Sequence, residues 1–107
     1  MIKNFLLLSS AIAFTAGAAQ AELLTEKNIP SALAVEIASS AVQVCAADKY
    51  NVTAAVVDRA GVLRALVRAD NAGPHTVEAA RAKAFTSVSS RTPTSKMAAN
   101  VAANPAA

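Results

Sequence analysis

The chain has 107 residues, is 54% hydrophobic but only 4% aromatic and 16% charged, and contains 28 alanines. That length and composition suit one small domain and exclude collagen-like, disulfide-framed and charge-rich disordered classes. A formal charge of +3, with basic residues spread from Lys27 to Lys96 and no aromatics interleaved, argues against a nucleic-acid partner.

Residues 1–21, MIKNFLLLSSAIAFTAGAAQA, place Lys3 before an apolar stretch, Phe5–Phe14, and end in Ala19-Gln20-Ala21. These are the three parts of a secretory signal peptide. Ser9, Ser10, Thr15 and Gly17 interrupt the run, so cleavage after Ala21 is expected rather than a membrane anchor, and no span remains in the mature chain. No lipobox cysteine precedes the expected mature start, and the expected destination is a bacterial periplasm. The 86 residues from Glu22 onward hold only Tyr50 and Phe85 as aromatics. Their core must be built from Ala, Val, Leu and Ile. At about 25 cal/mol per Å² of buried apolar surface such side chains stabilise little individually, and short domains are marginal, so a partner or a missing stretch of chain is expected. The single Cys45 excludes an intramolecular disulfide and a multi-cysteine zinc site. It reads as a small apolar helix residue, with a haem or redox role for the thiol as the alternative.

In the mature chain, Pro30 stands where a helix begins without needing its missing N–H. From Ala32 to about Asp48, Leu33, Ile37, Ala41 and Val44 recur at helical spacing, with Ala34, Ala38 and Cys45 widening the stripe. The helix is expected to stop around Lys49-Tyr50-Asn51, with Asn51 tolerating a left-handed backbone. Val52–Asp58 reads as a strand buried on both faces. Arg59-Ala60-Gly61 is a hairpin turn, and Val62–Arg68 is the partner strand. Strict alternation puts Leu63, Ala65 and Val67 on one face and Arg64, Leu66 and Arg68 on the other, where an anion could dock. After the loop Asp70–Pro74, a second helix begins at His75 or Thr76, with Thr76 as N-cap and Glu78 in the first turn. Its apolar face is Val77, Ala80, Ala84 and Val88, with Phe85 beside it and Arg81 and Lys83 solvated. A short third helix spans Ser95–Ala103. The fold class is therefore α+β, an antiparallel β-hairpin flanked by a long N-terminal helix and a second helix.

Residues 55–95 carry a recognisable order of elements: Val56-Val57-Asp58 with Gly61, Arg68 and Asp70, Ala80 with Lys83 and Ala84, and Pro93-Thr94-Ser95. This run resembles the haem-binding/GlcG family, also described as HbpS-like or domain of unknown function 336, and the resemblance covers about residues 24–105. It implies that the hairpin is part of a larger antiparallel sheet backed by helices. The family pattern continues with a Gly-Gly-x-Pro segment and two glycine-rich strands that have no counterpart here. The expectation is a domain lacking its C-terminal third, with an open hairpin edge that promotes self-association and no stable monomer for residues 22–107.

The resemblance implies an exported haem- or tetrapyrrole-binding protein. His75, the single histidine, is then the candidate axial ligand to iron, because a neutral imidazole is the commonest such ligand. Arg64 and Arg68 are the candidates for pairing with propionates. Each has a plainer reading, His75 as a solvated loop-end residue and the arginines as the solvated face of a hairpin. The separate carboxylates Asp58, Asp70 and Glu78 have local work in turns and caps, and nothing forms a catalytic constellation. Alternatives are an oligomeric accessory domain binding a small organic acid, and a haem-degrading protein.

Overall fold

The computed structural model describes residues 10–13 and 21–106; the expected leader falls mostly outside these. The elements run α1 (Ser31–Ala47), β1 (Thr53–Val57), β2 (Leu63–Arg68), α2 (Thr76–Ser90) and α3 (Thr94–Ala103). The α+β architecture read from the sequence is the one observed. β1 and β2 form a two-stranded antiparallel sheet with α1 packed on one face and α2 on the other. Among the described residues no helix is long and apolar enough to cross a membrane.

The core between α1 and the hairpin is made of alanine. Ala34 and Ala38 are fully buried and meet Ala65, while Ala54, Val56 and Val67 pack around them. Ile29 joins this cluster from the residue before the Pro30 cap, a hydrophobic staple that fixes the angle at which the chain enters α1. The larger aliphatics expected to face the core do not. Leu33 and Ile37 remain 46% and 44% exposed and Val44 is 67% exposed. The contact stripe is rotated onto Ala34 and Ala38 because methyl side chains let the helix and sheet backbones approach closely.

The hairpin turn is built by Asp58, whose Oδ1 accepts the N–H groups of Ala60 and Val62, both at 3.0 Å. The Gly61 N–H donates to the Asp58 carbonyl, and Gly61 takes φ +79°, a left-handed backbone for which glycine is suited. Beyond the turn the alternation fails. Val56 pairs with Ala65 but Val57 pairs with Leu63, so Arg64 is an extra residue, a β-bulge. The bulge moves Leu63 off the face it was expected to share with Ala65 and Val67 to the side of Val57, where it lies against α2.

Helix ends also differ from expectation. α1 closes with Tyr50 N–H on the Cys45 carbonyl and Lys49 N–H on the Ala46 carbonyl. This double bond pattern is a Schellman motif, and its left-handed residue is Lys49 (φ 65°), not Asn51. Arg91 (φ 51°) does the same after α2. Thr76 is not an N-cap: the cap position is His75, which makes no side-chain cap bond. The Thr76 hydroxyl instead donates to the Gly73 carbonyl at 2.5 Å and shares a 2.6 Å hydrogen bond with the Thr53 hydroxyl, tying the start of α2 to the start of β1.

Candidate functional site

His75 and Arg68 flank one loop. Arg68, at the end of β2, donates from Nη1 to the Ala72 carbonyl at 2.5 Å, and Ala72 N–H donates back to the Ala69 carbonyl. The loop is thereby folded under the guanidinium, and Ala72 is buried. One donor of Arg68 is committed to this local task, leaving its other N–H groups for an anion. His75 is exposed and stacks its ring on Gly73, so close that a Cβ placed on Gly73 would meet His75 Cε1 at 2.6 Å. Arg64 is exposed as well. Because it is the bulge residue, four positions before Arg68 and at about 3.3 Å rise per residue, it stands roughly 13 Å or less along the strand from that loop. The loop gathers His75 and Arg68 but not Arg64.

A groove of about 600 Å³ opens between the start of β2 and α2, a volume within the range of small-molecule sites, about 300–1,000 Å³. Gly61, Val62, Leu63, Ala82 and Phe85 line it, together with the Glu78–Arg81 ion pair at 3.4 Å. Phe85 is 53% exposed and Val62 59%, so the groove presents large apolar surface to solvent. Its helical lining has a register: Glu78, Ala82 and Phe85 recur at intervals of four and three. His75 stands three residues before Glu78 and already has helical dihedrals (φ −63°, ψ −22°), which puts it at the head of the same face. Imidazole and apolar groove thus follow one line along α2.

Sequence reasoning set Phe85 beside the apolar face without a task. The bulge that carries Leu63 across to it leaves no mark in a two-residue alternation. A second concavity, of about 310 Å³, lies on another side of α2, between Thr53 and Ala55 of β1, Lys83 and Ser87 of α2, and Thr94 of α3. Cys45 is a half-buried free thiol on α1. Among the described residues no group of three or more His, Cys, Asp or Glu is placed to hold a metal ion by itself.

These features define a small α+β domain with an apolar groove along α2, the helix whose N-cap position His75 occupies. The chain belongs to the family described as haem degrading protein, HbpS-like, whose model matches residues 29–107. No curated protein and no solved structure matched.

Proposed function

We propose that this chain is an exported, periplasmic haem- or tetrapyrrole-binding protein that acts without catalysis of its own and assembles as a homo-oligomer. The family match carries the haem reading. The groove supports it physically: Val62, Leu63, Ala82 and Phe85 offer an apolar bed suited to the face of a flat macrocycle, and Arg81 lines the same space. Aromatic stacking and charge-assisted pairing of a propionate are the interactions such a bed supplies. His75 is the residue that would ligate the iron, with Arg68 and Arg64 as further propionate partners; bound haem would supply an iron centre that an imidazole can ligate. Self-association is favoured by the exposed Leu33 and Ile37 on one flank of α1 and by the outer edges of a two-stranded sheet.

Haem titration of the purified protein tests the reading. A saturable Soret band that shifts or weakens in His75→Ala is expected. A His75→Ala protein with an unchanged spectrum would remove His75 as ligand, and absence of any saturable band would remove haem binding.

A further inference from the structure

Three oxygens form a chain beside His75. The Thr76 hydroxyl donates to the Gly73 carbonyl at 2.5 Å, and the same hydroxyl lies 2.6 Å from that of Thr53. A hydroxyl carries one proton, and that of Thr76 goes to the carbonyl, which can only accept. The proton between the two threonines therefore belongs to Thr53. The chain runs one way, from Thr53 at the head of β1 through Thr76 to Gly73, and each donation strengthens the next. Thr76 N–H also donates to the Gly73 carbonyl, at 3.0 Å, so that oxygen is held twice. All three residues are half-buried, whereas His75 is exposed.

What the chain holds is the residue on which the imidazole leans. His75 Cε1 and Nδ1 stand 2.6 and 2.8 Å from where a Cβ on Gly73 would lie, and Nε2 is farther, at 3.7 Å. Gly73 thus screens the Nδ1 side of the ring and leaves Nε2 as the open nitrogen. Only Pro74 separates the two residues, and its fixed φ carries the placement of Gly73 on to His75. The His75 side chain makes no cap hydrogen bond that would hold the ring independently.

We propose that Thr53 is a positioning residue for His75: its hydroxyl, acting through Thr76 and the Gly73 carbonyl, sets where the imidazole stands and presents Nε2, not Nδ1, to the iron of a macrocycle. The macrocycle rests on the haem reading above; the setting of the ring does not. Thr53 and Thr76 are 23 residues apart, on different elements, so only the folded chain makes this link.

The test compares Thr53→Val with Thr53→Ser in the full chain. Valine keeps nearly the shape of threonine and suits a strand, but removes the proton; serine keeps the proton and removes the methyl. In haem-free protein the nuclear Overhauser effect between His75 Hε1 and the Gly73 Hα protons should be strong in the parent and in Thr53→Ser, and weakened in Thr53→Val. Haem affinity from the Soret titration should fall about two- to tenfold in Thr53→Val, the range for one neutral hydrogen bond, and be restored in Thr53→Ser. Bound zinc protoporphyrin, a diamagnetic probe, should move His75 Hε1 and Hδ2 upfield together, because both flank Nε2. A Thr53→Val protein with the parent's Overhauser effect and affinity would overturn the proposal, as would equal losses in both variants, which would assign the effect to packing. A large upfield shift of Hε1 without Hδ2 would put ligation at Nδ1 and overturn the choice of nitrogen. Should the parent give no saturable Soret band, the haem reading falls, and the Overhauser comparison alone upholds or overturns the role of Thr53.

Discussion

The ring of Phe85 rests on Gly61: a Cβ built on that glycine would stand 2.7 Å from Phe85 Cδ2 and 2.8 Å from Cε2. One residue thus closes the hairpin turn and floors the groove. Gly61→Ala meets both constraints, the positive φ and the ring. The backbone conformation alone should cost about 1–2 kcal/mol. The double variant Gly61→Ala/Phe85→Ala should lose less than the sum of the single losses, because the collision is then gone. Denaturant unfolding of the four proteins measures this coupling, and simple additivity would contradict the contact.

Overpacking at the buried stripe of α1 should cost more than truncation on its exposed flank. Ala38→Leu introduces three heavy atoms at a fully buried position, and about 1–3 kcal/mol or more of destabilisation is expected. Ile37→Ala, on the exposed flank, should cost under about 1.5 kcal/mol, below the usual range for a buried Ile→Ala. Equal losses in urea unfolding would place α1 in a different rotation.

The reason for that contrast also marks what the sequence could disclose. Residue type and spacing revealed the helices, the Asp58–Gly61 turn and both strands to within a residue or so. The face of α1 was harder to read, since a hydrophobicity ranking favours Leu33 and Ile37, whereas close approach of helix and sheet favours Ala34 and Ala38. Likewise Asn51 has the better intrinsic tolerance for a left-handed backbone, but the hydrogen bonds of Tyr50 and Lys49 put that conformation at Lys49. At the site, His75 and Arg68 could be picked as chemically capable residues. Their sharing of a loop follows from the Arg68–Ala72 bond, and the alignment of His75 with Phe85 from where α2 begins.

Lys49→Gly should stabilise the protein by about 1 kcal/mol, through relief of the steric penalty that a side chain incurs at positive φ. A higher midpoint in thermal unfolding checks this. An unchanged or lower one would mean the end of α1 is not in the Schellman conformation.

Arg59 holds the segment that precedes α1. Its Nε donates to the Lys27 carbonyl at 2.6 Å and its backbone N–H to Asn28 Oδ1 at 3.1 Å. Arg59→Ala removes the first of these bonds, so trypsin should cut after Lys27 faster than in the parent, while cleavage after Lys83, within α2, should be little changed. Identical time courses at Lys27 would show that the tether contributes nothing.

Gly73→Ala separates a positional role of His75 from a structural one. The added methyl must displace the imidazole, but a side-chain ring can swing away cheaply, so thermal stability should fall by under about 1 kcal/mol. Haem affinity, read from the Soret titration, should fall if that ring is the iron ligand. Unaltered affinity with a shifted ring would remove it.

The alanine contact between α1 and the hairpin has a further consequence. Ala34, Ala38 and Ala65 possess no side-chain torsions that place heavy atoms, so folding freezes no rotamers there, and no alternative rotamers exist to absorb a displaced helix. The gap between α1 and the sheet is consequently set by backbone against backbone, like two plates held by rivets of one fixed length. A substitution on the outer flank of α1 leaves that gap unchanged, but any enlargement at those three positions must move the whole helix.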